Sequence, residues 1–223
     1  TTESNFIIPL DISGGHFIIS SSGKSFNKDS YMDGFQLSSS LFNDRLKLFP
    51  SFYVFKNIPD IPDGGDTFIF DYNILHLGSK LKLQESPLIN LEFDFYSNLK
   101  NYENVTGIPS NLANEKNGLV GGISYGHLDK KGDWAFKATY SYLERYAAVD
   151  FFAQNDWARW DYSSFDSPDG RLTNFKGLEL VSAYKMNKSM NLKLKYYLVE
   201  QIVPYGAFKE TGSRIRLDFD FNF

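Results

Sequence analysis

The chain has 223 residues, enough for one all-β barrel or sandwich and giving no reason to divide it into two domains. It contains no cysteine, which excludes a disulfide framework, a thiolate metal site and a thiol nucleophile, and its net charge of −4 excludes a general electrostatic affinity for nucleic acid. Aromatic content is 17% at a mean hydropathy of −0.33, and no apolar run approaches the ~18 residues of a spanning helix, so a membrane protein of this composition spans with strands.

No basic segment followed by an apolar one opens the chain, so no secretion signal is read, and a processed form or a piece of something longer is expected. Phe6, Ile8, Leu10 and Ile12 alternate with other residues, and Ser13-Gly14-Gly15 predicts a tight turn into a second strand over residues 16–22. A polar loop follows, then strands over residues 35–41 and 46–55 joined at Asn43-Asp44. Pro50 has no N–H to donate, which predicts a bulge or a local loss of pairing.

Residues 57–66 form a loop rich in Pro, Asp and Gly. The run 67–83 then changes phase, with Phe68, Phe70, Tyr72 and Ile74 on one parity and Leu75, Leu77, Leu81 and Leu83 on the other. A bulge near Ile74, or an extension beyond the bilayer, reconciles the two. After a turn at Glu85-Ser86, residues 88–99 place Ile89, Leu91, Phe93 and Phe95 opposite Asn90, Glu92 and Asp94.

A loop over 100–117, a strand over 119–128 and a turn at Lys130-Lys131-Gly132 lead to residues 133–149, where Trp134, Phe136, Ala138, Tyr140 and Tyr142 oppose Lys137 and Arg145. Another long loop, 151–173, precedes strands over 174–186 and 191–202, which are joined by Asn187-Lys188-Ser189. The last strand, 213–223, alternates Ile215, Leu217, Phe219, Phe221 and Phe223 with Arg214, Arg216, Asp218, Asp220 and Asn222. One face is greasy and the other carries both signs of charge, as in a transmembrane β-barrel with Phe toward lipid and ions toward a wet lumen.

About eleven strands result, with short and long connections alternating as periplasmic turns and external loops do. This parity ends the last strand in the periplasm and starts the first outside. An odd count does not suit a complete bacterial barrel, so the expected fold is an all-β transmembrane antiparallel barrel. Residues 1–223 are then the C-terminal part of a wall of about 14–18 strands.

Residues 131–157, running from Lys131-Gly132-Asp133-Trp134 through Tyr140-Ser141-Tyr142-Leu143-Glu144 to Asp156-Trp157, are followed by Thr173, Asn174, Lys176 and Gly177. This pattern resembles a family of bacterial outer-membrane proteins, the putative porins. Its motifs are a Gly-Asp-Trp strand, a Tyr-x-Tyr-Leu-Glu segment, an Asp-rich loop and a Thr-Asn-x-Lys-Gly strand. The resemblance is specific from residue 131 onward and rests on pattern before that. It implies passive channel activity, an outer-membrane location and further strands ahead of those present.

Lys or Arg facing lipid near the midplane costs about 2–4 kcal/mol, a cost that lumenal water removes. The ionic parity therefore nominates as pore-lining Glu92, Asp94, Lys137, Arg145, Glu179, Lys185, Lys193, Lys195, Arg214, Arg216, Asp218 and Asp220. Their mixed sign predicts a hydrated pore without a strong single-sign filter, or cross-strand pairs that hold the wall together. Phe219, Phe221 and Phe223 resemble the C-terminal signal read by the outer-membrane assembly machinery.

His16, His76 and His127 show no metal spacing and are placed too far apart for one external site; His16 is expected beside a periplasmic turn. Asp60, Asp63 and Asp66, with Asp161, Asp166 and Asp169, could offer oxygens to calcium, but a solvated loop explains them more simply. Trp134 suits an interfacial girdle, while Trp157 and Trp160 remain open to sugar stacking.

The expected function is passive diffusion of small hydrophilic solutes, without catalysis, cofactor or metal. Expected partners are outer-membrane lipid, the assembly machinery, the remaining barrel strands in the same or another chain, and a second copy in a homo-oligomer. A structural wall anchoring a larger complex and a soluble carbohydrate-binding β-protein are the competing readings.

Overall fold

The computed structural model describes residues 9–20, 29–59, 68–160, 172–204 and 207–221. They form ten strands: β1 (Asp11–Ser20), β2 (Ser30–Leu41), β3 (Leu46–Pro59), β4 (Ile69–Glu85), β5 (Leu88–Asn98), β6 (Asn117–Gly126), β7 (Trp134–Leu143), β8 (Phe175–Asn187), β9 (Met190–Gln201) and β10 (Thr211–Phe221). All lie in one antiparallel sheet in chain order. Among the described residues β1 pairs only with β2 and β10 only with β9, so the sheet is open, with a free edge on each side.

The count is ten rather than eleven because Ser13-Gly14-Gly15 does not turn. A two-residue hairpin turn needs positive φ, which neither glycine has, and both lie inside β1, opposite Phe35 and Gly34. A Cβ on Gly15 would stand 3.0 Å from the Phe17 ring, so the missing side chain serves ring packing within a strand. Phe6 and Ile8 lie outside the described residues.

The connections alternate without exception. Residues 21–29, 60–68, 99–116, 144–174 and 202–210 join strands at one end, and the shorter 42–45, 86–87, 127–133 and 188–189 join them at the other. With ten strands, β1 starts and β10 finishes at the same, short-turn end, which corrects the expectation of an opposite start.

Register explains the two irregularities that the sequence suggests. Opposite Phe49 and Pro50, residues 37 and 38 of β2 form no bridge, yet the register is the same on both sides, so pairing is lost there without a bulge. The phase change in β4 involves no bulge either: pairing to β3 is continuous from Tyr72 to Leu81, and pairing to β5 from Ile74 to Lys82. Phe70, Tyr72 and Ile74 are instead buried on the face opposite to Leu75 and Leu77, beneath the long connections.

The sheet thus has two unlike faces. Leu77, Phe93, Ile123, Phe136, Leu180, Leu194 and Phe219 belong to a bare apolar face, each more than two-fifths exposed. On the other face the connections fold back over the strands. Tyr102, Leu112 and Ala113 from 99–116 and Tyr146 and Val149 from 144–174 bury Phe55, Phe70, Tyr72 and Ile74. A second cluster sets Ala147, Ala158 and Trp160 against Leu143, Phe175 and Val199.

Several polar groups inside these connections are satisfied locally, as burial favours. Trp160 Nε1 donates to the carbonyls of Thr173 and Asn174 at 3.1 and 3.2 Å. Asp150 accepts from the Thr173 hydroxyl at 2.6 Å and from the backbone N–H of Leu172 and Thr173. Asn98, on β5, donates to Tyr102 Oη and to the Tyr146 carbonyl, so one amide ties both long connections to the sheet.

Strands β8 and β9 pack closely at Gly177, where a Cβ would meet the Leu198 carbonyl oxygen at 2.5 Å and Val199 Cγ1 at 2.8 Å. Overpacking of this kind costs about 1–3 kcal/mol. Gly177→Ala is therefore expected to lower the thermal unfolding midpoint in detergent; an unchanged midpoint contradicts the close β8–β9 approach.

Candidate functional site

Period-two alternation sends every second side chain to the face covered by the connections, and below that cover the face is ionic. Antiparallel register sets unlike charges side by side there. His76 of β4 meets Asp94 of β5 at 2.8 Å, with the Tyr96 ring stacked on the imidazole at 4.7 Å. Glu92 of β5 holds two ammonium groups, Lys80 at 2.8 Å and Lys137 of β7 at 2.6 Å. Across β9 and β10, Lys193 pairs with Asp220 at 2.5 Å and Lys195 with Asp218 at 3.1 Å.

Arg216 donates from Nε to Asp218 at 2.6 Å and from Nη1 to Asp156 at 2.5 Å, while Arg214 reaches Asp156 at 3.2 Å. Asp156 belongs to the connection 144–174 and its side chain is only 7% exposed. One carboxylate thus clamps a long connection across the ionic face onto the last strand.

Most charges nominated from sequence lie where alternation puts them. Glu92, Asp94, Lys137, Glu179, Lys185, Lys193, Lys195, Arg214, Arg216, Asp218 and Asp220 all share the ionic face. Arg145 does not share it in the same sense. It follows the end of β7, is 1% exposed, and sits 3.6 Å from Asp150 with its guanidinium 4.7 Å over the Tyr146 ring, so it braces the connection. Phe219 and Phe221 stand on the apolar face; Phe223 lies outside the described residues, as do Asp60, Asp63, Asp66, Asp161, Asp166 and Asp169.

The histidines are separated. His16, on the apolar-face parity of β1, contacts Asp33 at 2.6 Å and lies away from any short turn, because the predicted turn is strand. His127 sits beside Asp129 at the short-turn end, 3.0 Å away. No cluster of metal-ligating side chains occurs among the described residues. Trp134 packs against Phe136 and Tyr184 on the apolar face, whereas Trp157 stacks on Phe175 and Trp160 is buried, which makes both loop tryptophans internal anchors.

A family model described as "Putative porin" matches residues 68–217. The chain belongs to this porin family. The matched span runs from the start of β4 into β10 and so contains the Glu92 and Asp94 pairs and the Asp156 clamp on Arg214 and Arg216. None of the curated proteins matches the chain.

His76, Lys80 and Asp156 also belong to the ionic face and were not among the charges nominated from sequence. His76 and Lys80 share the parity of Ile74, so reading β4 in a single register would have found them. Asp156 carries no periodic signal because it lies in an irregular segment.

Two groups in the connections test this geometry. Burial, and then the neighbouring Glu144, push the Glu115 carboxyl above the ordinary carboxylate range, and its Oε2 is buried without a hydrogen-bond partner. A carboxyl whose folded value is raised binds its proton more tightly in the folded state, so stability falls as pH rises from the ordinary range through the raised value. Glu115→Gln is expected to stabilise the protein at neutral pH and to lose that advantage at acid pH, checked by thermal unfolding across a pH series; equal neutral-pH stability contradicts the buried placement. Asp156→Ala removes charge-assisted hydrogen bonds of about 1.5–3 kcal/mol. Faster proteolysis within residues 144–160, with unchanged β-sheet circular dichroism, is the expected result, and unchanged proteolysis counts against the clamp.

Proposed function

We propose that the chain forms part of the wall of an outer-membrane β-barrel through which small hydrophilic solutes diffuse passively. The observation that carries this reading is the division of a single sheet into a bare apolar face and a face of cross-strand ion pairs. Lipid suits the first face and water the second, since a Lys or Arg turned into lipid costs about 2–4 kcal/mol at mid-depth.

The dimensions support it. Apolar positions run from Ile89 to Phe95 on β5 and from Ile215 to Phe221 on β10. At ~3.3 Å per residue each stretch covers about 20 Å along the strand, against an apolar band of about 25 Å in such barrels. On the same face, polar pairs bound the band toward the long connections: Ser97 with Asn117 at 3.0 Å, and Lys176 with Glu200 at 3.4 Å. Aromatic Trp134, Tyr125 and Tyr184 mark its other margin, where an interfacial girdle belongs.

Free edges on β1 and β10 cannot face hydrocarbon, where each unsatisfied backbone group costs several kcal/mol. Further strands, from the same polypeptide or another, complete the wall to a total of about 14–18, wide enough for an aqueous channel. Membrane lipid and the assembly machinery are its partners, the latter meeting Phe219 and Phe221. Residues 99–116 and 144–160, folded onto the ionic face, narrow the path at its long-connection end.

Reconstituted in planar bilayers, the intact protein is expected to give stepwise conductance that grows with salt. Silence across a range of salts and voltages overturns the channel reading. A monodisperse chain in buffer without detergent overturns the membrane reading as well.

A further inference from the structure

On the ionic face near the β2–β3 turn, like charges stand opposite one another. Lys47 of β3 stands directly opposite Lys80 of β4. One rung nearer the short-turn end, Arg45 lies beside Lys82, whose backbone N–H donates to the Arg45 carbonyl at 2.7 Å. Two successive rungs therefore oppose like charges, an arrangement that destabilises a sheet.

Compensation is incomplete. The Glu92 carboxylate that meets Lys80 is shared with Lys137, and Glu85, 3.5 Å from Lys82, is mostly exposed. Among the described residues the side chains of Arg45 and Lys47 make no hydrogen bond or ion pair. These four cations, with Asn90 and the turn residue Asp44, line a recess of about 310 Å³. Since water takes up about 30 Å³, this holds a small oxyanion with part of its hydration shell.

We propose that this recess is an anion-binding site at the short-turn mouth of the channel, taking small solutes that carry a phosphate or carboxylate group. The proposal deepens the channel reading and rests on it, because it needs the ionic face to be wet. Guanidinium and ammonium groups are the side chains suited to such oxyanions. A ligand bridging Lys47 and Arg45 supplies the counter-charge that the sheet withholds. A lipid headgroup shares that chemistry, but the recess opens on the face opposite to the apolar one, which favours a solute.

The test is titration of inorganic phosphate into the detergent-folded intact protein, followed by ³¹P line broadening. The wild-type protein is expected to broaden the signal saturably. Lys47→Gln should weaken apparent affinity about fivefold, the worth of one unit charge at contact in water. Lys47→Glu should abolish binding while raising the thermal midpoint, because it converts the repulsive rung into an opposite-charge pair. Lys188→Gln, in the β8–β9 turn at the same end, should leave affinity unchanged. Equal broadening by wild type and Lys47→Glu overturns the proposal. A short-chain phosphatidic acid that binds far more tightly than inorganic phosphate overturns the assignment to a solute. In planar bilayers, a reversal potential unmoved by Lys47→Glu in a conducting channel also overturns it, whereas absence of conductance sinks the channel reading and leaves phosphate binding to decide the site.

Discussion

The constraint on which this structure depends is register. A strand sends successive side chains to opposite faces, so slipping any pairing by one residue would exchange apolar for ionic positions along a whole strand. Interior strands β2 to β9 each hold two neighbours in register, and the shifts that occur fall near strand ends, between Phe55 and Ile58, Lys82 and Gln84, and Lys185 and Asn187, or at the β1 edge. The ion pairs are the visible result. Glu92 meets both Lys80 and Lys137 because β4, β5, β6 and β7 keep count with one another over three interfaces.

Where the ionic face turns apolar, near the long connections, a second requirement enters. Phe55, Phe70, Tyr72 and Ile74 could not remain in water without forfeiting the stabilisation their burial brings, roughly 1.5–3 kcal/mol for a large side chain. Residues 99–116 and 144–160 supply the cover, and several of their polar groups are met by Asn98, Asp150 and Thr173. The face therefore has a dry, packed part under the connections and a charged part toward the short turns.

Much of this was legible in the sequence, and the reasons for the failures are physical. Alternation located the ionic row of β10 and the apolar rows of β5 and β7, and it put eleven of the twelve nominated charges on one face. Arg145 escaped because periodicity does not announce where a strand stops: Leu143 ends β7, and the next residues bury themselves. The glycine pair at 14 and 15 misled because a missing side chain serves a turn and a tight ring contact equally well. The phase change in β4 was real, but its cause was a covering loop, which no local pattern can reveal. Asp156 lies in an irregular segment and meets residues 58 and 60 positions away, beyond the reach of any windowed reading.

Because every strand lies beside its predecessor in the chain, the sheet can grow by adding one hairpin at a time to a moving edge, with only local loops to close. The Asp156 clamp breaks that locality. The segment bearing it precedes β8, yet its arginine partners arrive only with β10, so three more strands, β8, β9 and β10, must be laid down before the clamp can shut. Assembly of this face is thus sequential along the sheet but delayed across it: the cover over the ionic face is sealed last, as a consequence of where one carboxylate sits in the chain.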